Sequence, residues 1–318
     1  MLRIRWTGCA ECGRALGAIA LSLALALSVS CASGQDTESY PPSDLTHLSA
    51  ADRVLVVSPH PDDETLCCAG LIQRARAAGA QVTVVWLTSG DAFELDAALT
   101  EHTVHPGAAG MRTLALRRMQ EARAAAHTLG VPLADQFFLG FPDRGLLSLL
   151  TDHEYVPYMS SFTQLDRVSY PGTFDPGARY EGVELLRELG SIIDRVQPTY
   201  VLAPSPLDAH PDHRAAGDLA QRALGVRARL DCLRYWIVHG GLGWPSPRGL
   251  HPQRQLSAPR DAARMEWQSV ELTPAQRQGK LNALRVYVTQ MFGLERRFLV
   301  SFVRRNELFA RRPLPASP

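Results

Sequence analysis

The sequence predicts a single Rossmann-like α/β domain, with a mostly parallel sheet, helices on both faces and long active-site loops. Two observations predict this fold. First, short apolar runs alternate with segments of helical periodicity, and such alternation is typical of a parallel sheet covered on both faces. Second, three segments longer than ordinary loops follow predicted strands, at 91–110, 144–180 and 240–272. Because open parallel sheets bind ligands beyond the carboxyl ends of their strands, we expect these segments to border the active site.

The individual elements follow from local patterns. Continuous apolar runs predict buried strands at 53–58, 82–88, 136–139, 199–203 and 233–238. Apolar residues at helical spacing predict helices at 65–78, 111–129, 181–196, 215–224 and 274–290. Gly79 and Gly130 directly follow two of these segments, as expected at helix ends. The segment 295–312 mixes Arg with Phe and Leu, and its pattern predicts neither a helix nor a strand.

The composition is that of a globular protein with balanced charge. Of the 318 residues, 46% are hydrophobic, and 33 Lys and Arg face 32 Asp and Glu, which gives a net charge of +1. A high apolar fraction with a low net charge excludes disorder. A chain without a basic excess also lacks the electrostatic signature of nucleic-acid binding, so we expect no nucleic-acid partner.

The first 32 residues carry the pattern of an export signal. Arg3, Arg5 and Arg14 precede an uncharged run of 16 residues at 15–30, which is short for a membrane span of roughly 20 residues. We therefore predict a signal peptide at 1–32, a linker at 33–51, the catalytic domain at 52–312 and a tail at 313–318. Export would place the protein in the periplasm, the cell envelope or the medium.

The cysteines leave one alternative open and argue against disulfides. Cys31 follows small residues and precedes a polar stretch, as a lipidated cysteine does, although Ser28 stands where such signals normally carry Leu. A signal or a lipid anchor at Cys31 would be the only link to a membrane. Beyond the leader, Cys67, Cys68 and Cys232 are an odd number with two adjacent. We predict that these three are buried as small hydrophobic residues, without a disulfide or a metal.

Two polar clusters follow the first and fourth predicted strands. Residues 59–64 read PHPDDE and residues 204–213 read PSPLDAHPDH. Parallel strands bring both clusters to one edge of the sheet, where two imidazoles and a carboxylate make a metal site with a position left for water. Spacing alone does not decide which of Asp62 and Asp63 binds the metal and which acts as a base. Six other histidines are scattered and predicted to be structural or solvated: His102, His105, His127, His153, His239 and His251.

The two clusters resemble the signature motifs of a known enzyme family. The pair HPDDE at 60–64 and HPDH at 210–213 is similar to those of the PIG-L/LmbE-like zinc-dependent N-acetylglucosaminyl de-N-acetylases. Supporting similarities are the RMQE segment at 118–121, the LGV segment at 129–131 and the FPD turn at 141–143. The resemblance implies an LmbE-like fold and a zinc-dependent hydrolase that removes the acetyl group from N-acetylated amino sugars.

The resemblance also implies a role for each matching residue. Zinc, or Fe²⁺ as an alternative, would be bound by His60, Asp63 and His213. Asp62 would be the general base, and His210 would protonate the leaving amine or assist the oxyanion. Asp212 would orient a neighbouring imidazole, and Arg118 and Asp143 would contact the sugar. Some members carry Tyr where this chain has Asp208, so the role of Asp208 stays open.

Together, export and the motifs predict an enzyme that deacetylates an amino sugar of an envelope glycan or glycoconjugate. Two rival functions remain at this point. An exported protein that binds a metal or a sugar without catalysis would need the ligands but not Asp62 or His210. A non-haem iron oxygenase also uses two His and one carboxylate, but such enzymes are typically β-barrels, which the βα alternation argues against.

Overall fold

The structure, a computed structural model, describes residues 39–100 and 103–311. In this part of the chain, seven strands form one sheet. They are β1 (Arg53–Ser58), β2 (Gln81–Thr88), β3 (Gln136–Phe141), β4 (Tyr200–Pro204), β5 (Leu233–Trp236), β6 (Trp267–Glu271) and β7 (Asn306–Arg311). The spatial order is β3-β2-β1-β4-β5-β7-β6, in which the first five strands are parallel and β7 pairs antiparallel with both β5 and β6. The predicted α/β fold with a mostly parallel sheet is confirmed.

The helices cover both faces of this sheet. They are α1 (Asp63–Ala77), α2 (Glu94–Thr100), α3 (Gly107–Thr128), α4 (Leu146–Leu150), α5 (Gly182–Val196), α6 (Pro211–Gly225), α7 (Pro274–Leu284) and α8 (Gly293–Leu299). The helix predicted at 274–290 ends early, because Tyr287 and Gln290 turn inwards and bond to the loop after β1. The segment 295–312, which the pattern left unassigned, contributes most of α8 and forms β7. Strand β7 lies between β5 and β6, and β6 is the edge strand.

Alternate side chains of each central strand enter two separate cores. In β1, Val54 and Val56 belong to one core, while Leu55 and Val57 belong to the other. Helices α1, α3 and α7 pack on the first core, and α4, α5 and α6 pack on the second. Burial on both faces is the reason that these strands are apolar without alternation.

The strand order reverses between β1 and β4, which lie side by side in parallel with Val54 opposite Tyr200. From β1 the chain builds β2 and β3 on one side, and it then returns to build β4 and β5 on the other. A crevice opens beyond the carboxyl ends of the strands at such a switch point, and ligands bind there. Both polar clusters of the sequence emerge at this crevice.

Residues upstream of the predicted domain boundary also pack on the fold. A short 3₁₀ helix, Asp44–His47, buries Leu45 completely, and Asp44 forms an ion pair with Arg234 at 2.6 Å. Residues 39–51, assigned to a linker from the sequence, therefore belong to the folded domain. The predicted signal, Cys31, the rest of the linker, His102 and the tail at 313–318 lie outside the described residues. None of the helices that the structure describes has the length and apolarity needed to cross a bilayer.

The cysteine prediction was wrong in one respect. Cys67 and Cys68 are buried in α1, as expected, but their sulfur atoms are joined in a disulfide. An odd number of cysteines with two adjacent argued against a disulfide, yet here the two adjacent cysteines pair with each other. Cys232 is left as a buried free thiol.

Candidate active site

The first-motif loop, residues 59–64, links β1 to α1. Asp62 immediately precedes α1 and has a φ of 122°, a left-handed conformation that is unusual for a residue other than glycine. The backbone N–H of Asp62 donates to the Glu64 carboxylate at 3.2 Å, which holds this conformation. As a result the two adjacent aspartates have different surroundings: Asp63 contacts His60 and His213, whereas Asp62 lines a cleft.

Glu64 connects the first-motif loop to distant parts of the chain. Its carboxylate is fully buried and accepts hydrogen bonds from the Trp86 indole at 2.8 Å and from the Tyr287 hydroxyl. Nearby, the Gln290 amide donates to the Pro61 carbonyl at 2.8 Å. Contacts from β2 and from the segment after α7 therefore fix the position of this loop.

The second-motif loop, residues 205–213, links β4 to α6 and is held by its own residues and by the end of β5 and the segment after it. His210 caps α6, and its Nδ1 accepts the backbone N–H of Asp212 at 3.2 Å. Asp208 accepts the backbone N–H of His210 at 2.9 Å with one oxygen. Its other oxygen accepts the backbone N–H groups of Val238 and His239, each at 3.0 Å, just after the neighbouring strand β5.

Three donor atoms from the two loops meet at Asp63. Its Oδ2 lies 3.2 Å from Nδ1 of His60 and 3.1 Å from Nε2 of His213. Ligand atoms bound to one tetrahedral zinc at about 2.0–2.1 Å lie about 3.3 Å from each other, so the spacing fits a shared cation. The Nε2 atom of His213 is buried, and its contact among the described residues is the Asp63 carboxylate. On its other side, Nδ1 of His213 lies 3.2 Å from Asp208, which is how metal-binding imidazoles are commonly oriented.

The charges around this point favour a cation. Burial opposes the charged form of His213, but Asp63 and Asp208 outweigh it and raise the pKa of His213 to about 9. Burial likewise opposes charge on His60, yet Asp143, Asp212 and Asp63 raise its pKa well above the ordinary value. The carboxylates thus stabilise positive charge at the two imidazoles. Of the three residues that the resemblance assigns to zinc, Asp63 contacts both imidazoles, and the surrounding carboxylates favour a cation.

Asp212 and Asp143 both face the other side of the His60 ring. Their carboxylate oxygens lie 3.2 and 3.3 Å from its Nε2 atom. Asp212 also accepts the backbone N–H groups of Arg144, at 2.6 Å, and Leu146, at 3.1 Å. The position of Asp212 suits the predicted role of orienting an imidazole, while Asp143 lies both against His60 and on the cleft.

Arg118 lies on α3 with its guanidinium directed into the cleft. It forms an ion pair with Asp96 and donates to the Gly90 carbonyl at 3.1 Å. It is almost fully buried, and its Nε atom has no partner among the described residues. Arg118 is therefore held rigidly at the wall of the cleft.

His239 was missed by the sequence analysis. We predicted that it is structural or solvated, yet it lines the same cleft, with its ring 4.6 Å from that of His213 and 5.1 Å from that of His210. Together with Asp63 and His213 it forms another group of donors close enough to hold a cation. The available signal was its position directly after the strand predicted at 233–238, at the same edge as both motifs.

The cleft above these residues has a volume of about 310 Å³. The long segment after β2 contributes Phe93, and the segment after β3 contributes Arg144. Further side chains come from the end of the chain and include Gln290, Glu295 and Phe298. The third long segment borders an adjoining cavity through Arg248. Each of the three segments expected over this edge therefore supplies a residue near the site.

Comparison with known proteins identifies the family of the chain. The profile of the PIG-L family, described as GlcNAc-PI de-N-acetylase, matches residues 55–224, more than half of the chain. A curated relative from Actinosynnema mirum, 1D-myo-inositol 2-acetamido-2-deoxy-alpha-D-glucopyranoside deacetylase, is 32% identical over 198 residues. The match covers 60% of this chain and 61% of the relative, so the chain spans about three fifths of that protein's length.

Solved structures share the fold at lower identity. The A40926 pseudoaglycone deacetylase is 20% identical, with a TM-score of 0.53 over 82% of this chain and 96% of that chain. The 4-carboxy-2-hydroxymuconate hydratase of Pseudomonas putida KT2440 is 18% identical, with a TM-score of 0.51 over 84% and 98%. Because one neighbour is a deacetylase and the other a hydratase, the fold alone does not fix the reaction. The family profile is more specific, and by it the chain belongs to the PIG-L family.

Proposed function

We propose that this member of the PIG-L family is a metal-dependent hydrolase that removes the acetyl group from an N-acetylated amino sugar. The observation that carries the proposal is the contact of Asp63 with both His60 and His213, with Asp62 on the same cleft. An amide is hydrolysed by an activated water with a base, an oxyanion donor and a route for a proton to the amine. The chain supplies a residue for each of these tasks.

The donor set favours zinc as the metal. Two imidazoles and one carboxylate with a free position form a common catalytic zinc site, and Fe²⁺ accepts the same ligands. When bound, the cation supplies a Lewis acid that lowers the pKa of a water molecule and polarises the acyl oxygen. Asp208 would hold His213 in the tautomer whose Nε2 is free to bind, because its carboxylate lies at Nδ1.

Asp62 is the proposed base. It lines the cleft without contacting His60 or His213 among the described residues, so it would reach the attacking water without competing for the metal. Burial and the carboxylates of Asp63 and Glu64 raise the pKa of Asp62, which strengthens it as a base. It takes the proton of the water and then passes this proton to the leaving nitrogen, so the amine departs neutral.

His210 is the proposed oxyanion donor. Burial and the nearby imidazoles of His60 and His213 lower the pKa of His210 to about 4, and a cation in the site would lower it further. The ring is therefore neutral at pH 7 and is a weak source of protons. Its Nδ1 atom already accepts the Asp212 N–H, which leaves Nε2 as the protonated nitrogen. Of the two roles implied by the resemblance, this arrangement favours donation of a hydrogen bond to the acyl oxygen.

The substrate is proposed to be an N-acetylated sugar of the cell envelope. The relatives named above act, by their names, on an acetamido sugar joined to inositol and on the A40926 pseudoaglycone. Arg118 and Asp143 are fixed at the wall of the cleft, where they would contact the sugar hydroxyls. The envelope location rests on the leader pattern with Arg3, Arg5 and Arg14 alone.

A deacetylation assay tests this proposal. Purified protein is incubated with N,N′-diacetylchitobiose and other N-acetylated saccharides, with and without a chelator, and acetate and free amine are measured. We expect equal amounts of acetate and amine, loss of both on chelation, and recovery on adding Zn²⁺. Binding of metal and sugar without acetate release would instead support the non-catalytic alternative. Consumption of oxygen would support an oxygenase and overturn the proposal.

A further inference from the structure

A buried carboxylate lies behind the wall of the catalytic cleft, and the proposed reaction gives it no role. Asp91 follows β2, its side chain is fully buried, and its Oδ1 atom accepts the backbone N–H of Asp143 at 3.0 Å. In return, Oδ2 of Asp143 accepts the backbone N–H of Ala92 at 3.2 Å. These two hydrogen bonds join the segment after β2 to the turn after β3. The other carboxylate oxygen of Asp143, Oδ1, lies 3.3 Å from Nε2 of His60.

Tyr170 holds Asp91 from the side away from the cleft. Its hydroxyl donates to Oδ2 of Asp91 at 2.6 Å, and its side chain is buried. The Thr173 hydroxyl donates to the Tyr170 carbonyl at 2.8 Å. The next residue is bonded to β3, because the Phe174 N–H donates to the Phe138 carbonyl at 2.7 Å. The long segment after β3 therefore acts on the cleft wall through the Asp91 carboxylate.

The segment that carries Asp91 also contacts Arg118. The Gly90 carbonyl accepts a hydrogen bond from the Arg118 guanidinium at 3.1 Å. Gly90 has a φ of 70°, and a Cβ atom there would lie only 2.9 Å from Cδ of Arg118, so the close approach requires glycine. Residues 90–92 thus contact both Arg118 and Asp143, the two side chains proposed to bind the sugar.

Stability alone does not account for a carboxylate at position 91. Burial and the charge of Asp143 raise the pKa of Asp91 to about 7, so the folded protein disfavours the charged form. An apolar residue at this position would avoid that cost. Residues that oppose stability in this way are expected at functional sites, where another gain compensates for them.

We propose that Asp91 and Tyr170 are positioning residues that fix the Asp143 carboxylate and thereby decide which ring hydroxyl of the sugar the cleft accepts. The proposal rests on the proposed function and deepens it, since it concerns how the same site selects its sugar. A fixed acceptor rejects a sugar that lacks the matching hydroxyl, because a polar group of the site is then left unpaired. Without the Tyr170 hydroxyl, one oxygen of the buried Asp91 carboxylate loses its donor. Asp91 should then shift, and Asp143 with it.

Deoxy sugars test this selection. The substrates are the methyl glycoside of N-acetylglucosamine and its 3-deoxy, 4-deoxy and 6-deoxy analogues. In the wild type, we expect kcat/KM to be about 10-fold lower for one analogue, as loss of a hydrogen bond to a charged group would give. Asp143→Ala identifies that hydroxyl by abolishing the difference. Tyr170→Phe should remove most of the same difference, mainly through KM, while the kcat for the parent sugar and the metal content stay close to those of the wild type.

Further variants separate positioning from a general loss of structure. Asp91→Asn keeps the shape of the side chain and an acceptor for the Asp143 N–H, so it should retain the wild-type difference, whereas Asp91→Ala should lose it. Tyr155→Phe, at an exposed tyrosine, should change nothing. A difference that survives Tyr170→Phe, or an equal loss of activity on all four sugars, would overturn the proposal.

A crystal structure of the Tyr170→Phe variant separates failure of this proposal from failure of the proposed function. If no sugar is deacetylated, the proposed function fails, but the position of Asp143 is still measured. An Asp143 carboxylate that has left the Ala92 N–H supports the positioning role. An Asp143 carboxylate in its wild-type position, with both hydrogen bonds to residues 91–92 intact, would overturn it.

Discussion

The first-motif and second-motif loops supply ligands to the same point, but they are supported in different ways. Asp62 in the first loop has a strained backbone, which is held through Glu64 by Trp86 and Tyr287, residues far along the chain. The second loop is supported from within and by the neighbouring strand: His210 caps α6, and Asp208 accepts hydrogen bonds from His210 and from Val238, just after β5.

This difference assigns separate tasks to the two supports. Strain at an active site persists only when the surrounding structure enforces it, and the buried Glu64 network provides that enforcement. It sets the direction of Asp62, the proposed base. Asp208, by contrast, fixes the ring of His213, a proposed ligand. We therefore expect damage to the first support to affect turnover and stability, and damage to the second to affect metal affinity.

The largest effect is expected from removing a ligand from either loop. His60→Ala and His213→Ala should each reduce the bound metal from one equivalent to nearly none after dialysis, because two remaining ligands bind zinc weakly. Metal analysis of the purified variants checks this. His127→Ala removes an exposed histidine at the end of α3 and should leave the metal content unchanged. A His60→Ala variant that retained full metal content would exclude His60 as a ligand.

The next effect distinguishes the two adjacent aspartates. Asp62→Asn should retain the metal and reduce kcat by about 10²–10⁴-fold, the usual contribution of a general base. Asparagine tolerates positive φ, so the loop should keep its shape. Asp63→Asn should lose the metal as well as the activity. The opposite result, with metal lost from Asp62→Asn and kept in Asp63→Asn, would exchange the two roles.

Sequence patterns predicted what is local to each motif. The loops that lead to His60 and His213 follow apolar strands directly, so parallel strands had to bring these loops to one edge of the sheet. The adjacency of β1 and β4 was not predictable from the sequence. Strand order is set by how the connections between strands pack over the sheet, and no local sequence pattern encodes it. This adjacency brings Asp63 to within 3.1 Å of His213.

Residues that act through tertiary contacts were the ones missed. His239 stands outside any motif, and it reaches the site because β5 lies beside β4. The end of α7 was placed too late, since helical periodicity continues to Gln290 although Tyr287 leaves the helix to bond with Glu64. Asp208 lay within a motif, but its partner His213 could be identified only from side-chain geometry.

A smaller effect is expected from the support of the second-motif loop. Asp208→Asn keeps an acceptor for the backbone N–H groups of Val238 and His239 but removes the charge beside His213. We expect zinc affinity to fall about 10–100-fold, as is usual for loss of such a carboxylate, while kcat at saturating metal stays close to that of the wild type. Competition with a metal indicator measures the affinity. Asp231→Asn, at an exposed carboxylate, is the matched control.

The smallest effect is expected from the support of the first-motif loop, and it should be of a different kind. Tyr287→Phe removes one hydroxyl donor from the buried Glu64 carboxylate, which keeps the Trp86 indole and the Thr65 hydroxyl. Loss of this hydrogen bond to the buried Glu64 carboxylate should lower the free energy of unfolding by about 1–3 kcal/mol. Urea denaturation measures the change.

Because Glu64 also holds the backbone of Asp62, the same change should reduce kcat a few-fold and leave zinc affinity unchanged. Tyr155→Phe, at a tyrosine that is 74% exposed, controls for the loss of a hydroxyl and should change neither quantity. If Tyr287→Phe instead weakened zinc binding as much as Asp208→Asn does, the two supports would not have separate tasks, and the orientation of Asp62 would depend on the metal rather than on Glu64.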